Sequence, residues 1–278
     1  MTVSVYERLL ETRRLLKSIV PDEMTADFEA RQLLAFVLGM DKLSPGAYGI
    51  EMTDEQQMHL SNAVLRRLNR EPLQYIIGEW EFMGLPFYVD ENVLIPRQDT
   101  ETLCEAVETF IKGSPKSNYS LLDVCTGTGC IGISLCVRNS IRTVLSDVSE
   151  DCLKIAAKNC IRNGIHCDII KSNLLESIEE RYDIITANPP YVKTSVIDSL
   201  DAEVKREPRL ALDGGEDGLG FYRRLRGDFE KHLNKGGLLA MEIGFDQGES
   251  VRSIFSCCGK VSVIKDLCGC DRVVTVEI

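Results

Sequence analysis

A chain of 278 residues, 44% apolar and 27% charged, can bury one large core or two smaller ones and has the composition of a soluble globular protein. Its 32 basic and 43 acidic residues leave a formal charge of −11, which argues against a surface built to neutralise nucleic-acid backbone. No apolar run reaches about 18 residues, so no membrane span is expected. The eleven cysteines include no Cys-x-x-Cys pair and the three histidines, His59, His166 and His232, stand far apart. Zinc spacing is therefore absent, and the thiols read as small apolar filler in a reduced, cytoplasmic protein.

Residues 1–75 read as a helical bundle. Leu9, Leu10, Leu15, Leu16 and Ile19 recur at helical spacing, and Pro21-Asp22 breaks the pattern. A second helix carries Phe28, Leu33, Leu34, Phe36, Val37 and Leu38 and ends at Gly39; a third starts at the capping box Thr53-Asp54-Glu55-Gln56 and runs to Arg70. Residues 76–97 read as a packed β-hairpin connector. Tyr75-Ile76-Ile77-Gly78, Trp80 to Val89 and Val93-Leu94-Ile95 are β-rich runs punctuated by Gly84-Leu85-Pro86 and Asp90-Glu91-Asn92. From residue 98 to 278 the pattern becomes an α/β domain. A helix bears Leu103, Val107, Phe110 and Ile111; strands follow at 121–124, 142–146, 168–170, 182–187 and 237–243, with helices between them. Two alternating runs, 261–264 and 273–278, face each other across Cys268-Gly269-Cys270 as an antiparallel pair. The fold class is a Rossmann-like, doubly wound, mostly parallel sheet with an antiparallel C-terminal hairpin, behind a small N-terminal helical bundle.

Two turns in this sheet carry chemistry. Cys125-Thr126-Gly127-Thr128-Gly129 joins the first strand to a helix, and its glycines permit tight turning and close approach to a ligand. With Gly132 it formally matches Gly-x-Gly-x-x-Gly, and Asp147, at the end of the next strand, is placed to bind a ribose diol. This pattern indicates a nucleotide-like cofactor without distinguishing a nicotinamide from S-adenosylmethionine. Asp123, just before the turn, argues against a pyrophosphate and for a cationic or amino-acid-bearing ligand. The second turn, Asn188-Pro189-Pro190-Tyr191, ends the strand over 182–187, where ligands bind in open α/β sheets. A donor-poor turn beside an aromatic ring suits a planar –NH2 group.

Together these stretches resemble the amino-group methyltransferases that use S-adenosylmethionine, and the fuller set resembles the HemK/PrmC family of release factor N5-glutamine methyltransferases. The matching stretches are Glu71 to Gly78, Phe82-x-Gly84-Leu85, Val93 to Arg97 with Thr100-Glu101, Asp123 to Gly129, Asn188 to Tyr191, Glu207 to Gly218 and Asp271 to Val274. The resemblance implies methyl transfer from S-adenosyl-L-methionine, leaving S-adenosyl-L-homocysteine, to the side-chain amide of the Gly-Gly-Gln glutamine in class I peptide chain release factors. It implies that Cys125, Thr126, Gly127, Thr128 and Gly129 wrap the methionine part of the cofactor and that Asp147 holds the ribose. By the same resemblance Asn173 and Leu174 border the adenine, and Asn188, Pro189, Pro190 and Tyr191 hold the glutamine amide as catalytic and substrate-binding residues. Asn188 also borders the cofactor. It further implies that the N-terminal bundle recognises the substrate protein. Cys125, Gln98 and Asn173 stand where the family often has Gly, Pro and Asp, for which modest changes in cofactor affinity are expected. The expected protein is a cytoplasmic monomer without metal, nucleic-acid or membrane partner; the rival reading is an N6-adenine or N4-cytosine nucleic-acid methyltransferase.

Overall fold

The computed structural model describes residues 3–278, which divide into two units. One holds the chain through Gly78 together with Asp201–Arg206; the other holds Glu79–Leu200 and Glu207–Ile278. Among the described residues no helix is long and apolar enough to cross a membrane.

The first unit contains β1 (Val3–Ser4), α1 (Val5–Leu16), α2 (Glu23–Leu38), β2 (Glu51–Met52), α3 (Asp54–Leu68) and α4 (Leu73–Ile77), with β1 and β2 antiparallel. Capping boxes start α1 (Ser4 with Glu7) and α3 (Thr53 with Gln56), each satisfying two backbone donors that a helix start leaves open. Leu9, Leu16, Leu33, Leu34, Leu60 and Val64 fill the core. The stretch Tyr75-Ile76-Ile77-Gly78 is not the β-rich start of a connector. It completes α4, because Pro72 sits where a helix start needs no N–H and Gly78 closes the turn at a φ of 83°. The buried Arg67 forks onto both carboxylate oxygens of Glu29 (2.8 and 3.0 Å) and reaches Glu203 (2.9 Å), which is how 201–206 joins this unit.

The second unit begins with the hairpin β3 (Glu79–Phe82) and β4 (Leu85–Tyr88), then α5 (Glu101–Lys112). There follow β5 (Ser120–Val124), α6 (Cys130–Asn139), β6 (Arg142–Asp147), α7 (Glu150–Arg162), β7 (Asp168–Lys171) and β8 (Tyr182–Ala187). The short α8 (Arg209–Leu212), α9 (Gly220–His232), β9 (Leu233–Glu242), α10 (Gly248–Phe255), β10 (Lys260–Lys265) and β11 (Asp271–Glu277) complete it. Seven strands form one sheet in the order β10-β11-β9-β8-β5-β6-β7. The pairs from β9 to β7 are parallel, and β11 lies antiparallel between β9 and β10. Successive residues of the central strands point to opposite faces. Leu121 and Ile184 join the core under α5 and α6, whereas Leu122 and Ile185 join the core that holds Tyr222, Phe229 and Phe255. Val93-Leu94-Ile95, expected as a β run, makes no strand: the Ile95 N–H is taken by the Glu207 carboxylate at 3.1 Å and not by a ladder partner.

Strand order reverses at β5, which has β6 on one side and β8 on the other. The register pairs Val124 with Ala187, so the chain leaves both strands at the same level. The glycine turn and Asn188 therefore meet at the switch point, the crevice where such sheets bind ligands.

Candidate active site

The glycine turn is held from beneath by Asp123. This wholly buried carboxylate accepts from the Thr126 hydroxyl, from the Gly132 N–H at 3.2 Å and from the Thr186 hydroxyl at 2.7 Å. It does not line the cavity above, contrary to the ligand-facing position expected from its place before the turn. Gly132 likewise serves packing, since a Cβ there would lie 2.4 Å from Leu145 Cδ2 and 3.0 Å from Asp123 Cβ. The turn itself takes left-handed backbone at Cys125 (φ 56°), Gly127 (φ 54°) and Gly129 (φ 83°). A Cβ at Gly127 would meet nothing within 4 Å, so the turn presents bare backbone to open space. The Gly127 N–H donates to Asp147 Oδ2 at 3.0 Å, and the Ser149 N–H donates to Oδ1 at 2.9 Å. Burial holds the Asp147 carboxyl above its ordinary pKa despite these donors. Burial also pushes the Cys125 thiol far up, which keeps it neutral.

One cavity joins the two turns. Cys125, Thr126, Gly127, Thr128 and Asp147 line one wall, and Asn188 and Pro190 line the other. Among the described residues the Asn188 side-chain amide has no protein hydrogen-bond partner, although it is only half exposed at the end of β8. Gly129, Pro189 and Tyr191 stand behind the lining. The Tyr191 ring packs on the core under α9, with its hydroxyl 3.1 Å from Glu242 Oε1. Backbone bonds fix the exit from this turn: the Val192 N–H donates to the Leu212 carbonyl (2.9 Å), and the Gly214 N–H donates back to the Val192 carbonyl (2.8 Å).

Asn173 and Leu174 lie outside this cavity and border a smaller one with Arg224. The Asn173 Oδ1, expected to meet an adenine amino group, accepts from Arg224 at 2.8 Å. Residues without an assigned role in the sequence complete the lining, among them Leu94, Pro96, Arg97, Thr100 and Phe221. Arg97 is held by the buried Glu207, whose other oxygen takes the Ile95 N–H. The signal for this wall was present in Ile95-Pro96-Arg97 and Glu207-Pro208-Arg209, a proline after an apolar residue and charges of opposite sign. Nothing local ties the two stretches together across the intervening sequence.

The family description "PrmC N-terminal domain" matches residues 8–78, and "Methyltransferase small domain" matches residues 100–207. The release factor glutamine methyltransferase of Agrobacterium fabrum is 38% identical, over 99% of this chain and 96% of its own. That of Thermodesulfovibrio yellowstonii is 39% identical over 90% and 91%. Among solved structures, the hMettl16 catalytic domain superposes with a TM-score of 0.58 at 17% identity, covering 82% of this chain and 84% of its own. A methyltransferase from Pyrococcus furiosus gives 0.53 at 18% identity over 81% and 98%. These two establish the fold of the sheet-bearing unit as that of class I methyltransferases. Identity of this extent over nearly the whole length places the chain in the release factor glutamine methyltransferase family.

Proposed function

We propose that the chain transfers the methyl group of S-adenosylmethionine to the side-chain nitrogen, N5, of the glutamine in the Gly-Gly-Gln motif of class I release factors. The observation that carries this reading is the uncommitted amide of Asn188, facing the cavity that the glycine turn and Asp147 share. When bound, S-adenosylmethionine supplies a methyl group made electrophilic by a positive sulfur. The cavity fits it: bare backbone at Gly127 admits close approach, and Asp147 has acceptor capacity left for ribose hydroxyls. Cys125, Thr126 and Thr128 border the same space, and Asp123 acts one layer below by holding the turn.

A carboxamide nitrogen is a weak nucleophile, because its lone pair is delocalised into the carbonyl. No base strong enough to deprotonate it lines the cavity, so the chain acts by placement. Asn188 Oδ1 accepts one N–H of the substrate amide, and the Pro189 carbonyl, which receives no protein donor among the described residues, accepts the other. Two acceptors fix the nitrogen and stabilise the positive charge that grows on it as the nitrogen–methyl bond forms and the methyl–sulfur bond breaks; S-adenosylhomocysteine is left behind, and the nitrogen sheds one of its two protons to water. Pro190 faces the cavity and holds the turn, and Tyr191, expected to pack on the amide, anchors the turn from behind through its ring and hydroxyl. The helical unit recognises the release factor. The protein works as a cytoplasmic monomer, and the charge of −11 gives no support to a nucleic-acid substrate.

The test incubates the protein with labelled S-adenosylmethionine and, separately, a class I release factor, the same factor with its Gly-Gly-Gln glutamine replaced, and bulk nucleic acid. Label should enter the intact release factor alone; label on nucleic acid alone sinks the assignment. Asn188→Ala should lower transfer by at least about a hundredfold while cofactor binding, read by calorimetry, stays nearly unchanged. Full activity in Asn188→Ala would show that the clamp is wrong.

A further inference from the structure

Glu242 ends β9 and is 1% exposed. Its neighbour Met241 pairs with Ala187, so the Glu242 side chain stands level with the turn that follows β8. One carboxyl oxygen, Oε1, accepts the Tyr191 hydroxyl at 3.1 Å. The other, Oε2, accepts no well-aligned hydrogen bond; the buried hydroxyl of Thr100, which lines the cavity, lies close enough to favour the ionised carboxyl but does not meet it in hydrogen-bond geometry. Burial raises the Glu242 carboxyl above its ordinary pKa; Arg272 nearby favours the ionised form, but its guanidinium is spent on Asp99 and Asp266, each at 3.1 Å. A buried carboxyl oxygen with so poor a donor is costly, and an apolar side chain of similar volume would serve a purely structural core better.

The same strand-to-helix turn grips Tyr191 at a second point. Gln247, 5% exposed, donates from Nε2 to the Tyr191 carbonyl at 3.0 Å and is itself fixed through Oε1 by the Gly244 N–H at 2.9 Å. The backbone of Tyr191 is thus pinned by Gln247 and its ring by Glu242.

We propose that Glu242 is a positioning residue for methyl transfer, its carboxyl fixing the Tyr191 hydroxyl and, through Tyr191, the turn that presents Asn188 to the cavity. This rests on the reading that the Asn188–Tyr191 turn holds the amide. Small displacements of a reacting group carry large rate penalties, so loss of the contact should lower kcat by about tenfold to a hundredfold. KM for the release factor and the affinity for S-adenosylmethionine should move little, which separates positioning from loosened folding.

The experiment measures methyl transfer to a class I release factor by the full chain carrying Glu242→Gln, Glu242→Met, Tyr191→Phe or the pair Glu242→Met with Tyr191→Phe. Glu242→Gln keeps an acceptor oxygen and should retain most of the rate. Glu242→Met and Tyr191→Phe should each lose kcat, and the double variant should be no worse than the poorer single one. Wild-type kcat in Tyr191→Phe, or losses that multiply in the pair, would overturn the proposal. Should Glu242→Met fail to fold, Tyr191→Phe, which removes one oxygen, still decides. A second readout needs no activity: with meta-fluorotyrosine in all eight tyrosine positions, the fluorine resonance absent from Tyr191→Phe identifies Tyr191. That resonance should shift and broaden in Glu242→Met but not in Glu242→Gln; an unchanged line in Glu242→Met refutes the proposal. Wild-type protein that left the release factor unlabelled would count against the assigned substrate, while the fluorine spectrum would still judge Glu242.

Discussion

A carboxylate with no exposed surface must be stabilised by the groups around it or keep its proton. Asp123 shows the balance: burial outweighs the donors Thr126, Thr186 and Gly132, and its pKa is pushed up from 3.8 to about 6. The folded protein therefore holds this proton more tightly than the unfolded chain does. Stability from this group is fully present below pH about 4 and is lost as pH rises through about 6. Two pKa units correspond to about 3 kcal/mol. The difference in unfolding free energy between wild type and Asp123→Asn, measured in urea, should fall by about 2–3 kcal/mol over that interval and then level off. A difference independent of pH would mean that Asp123 does not titrate there. The sequence located this residue correctly before the turn but aimed it at the ligand. Strand alternation held the answer: residue 123 shares a face with the core residue Leu121, so its side chain enters the sheet layer under α6. Asn188 was legible for the opposite reason, because two prolines end the strand there and leave its side chain at the rim.

At the scale of elements, the turn after β8 has its shape because two glycines, Gly214 and Gly218, press against it. A Cβ on Gly218, at φ 73°, would lie 2.4 Å from the Tyr191 carbonyl oxygen and 2.7 Å from Gln247 Nε2. Gly218→Ala should cost about 1–3 kcal/mol and lower methyl transfer, since the displaced atoms belong to the turn proposed to hold the amide and to its support. Gly227, exposed in the middle of α9 with nothing within 4 Å of a Cβ, is the contrast. Gly227→Ala should raise stability by about 0.5–1 kcal/mol and leave transfer alone. Chemical melts and one transfer assay on both variants check the pair; equal effects would remove the argument. The central strands were legible because both faces are covered, which gives short, mostly apolar runs such as 182–187, buried throughout. Residues 73–77 and 93–95 were not, because β-branched residues in so short a run do not reveal the period. In the first case the flanking Pro72 and Gly78 decided for helix, and in the second a distant glutamate took the backbone donor.

At the scale of the whole molecule, the helical unit is not a continuous stretch of chain. Asp201–Arg206 belongs to it, and the contact that enrols this segment spans 136 positions, from Arg67 to Glu203. Composition and periodicity carry no trace of such a pairing, so the sequence reading kept residues 201–206 within the 98–278 domain. The energetics centre on Arg67, whose side chain is 6% exposed and whose fork is taken up by Glu29. Arg67→Met leaves the Glu29 carboxylate buried without its counter-charge and should cost about 3–5 kcal/mol. Replacing both members, Arg67→Met with Glu29→Leu, removes the uncompensated charge and should recover most of that loss, because the desolvation penalty of an ion pair disappears with it. Glu203 keeps Arg70, 3.2 Å away, in either variant. Two units need not unfold together, so the measurement is native-state hydrogen exchange on the amides of α2 and α3 in urea. If the double variant were as unstable as Arg67→Met alone, packing of the arginine stem and not its charge would hold this unit together.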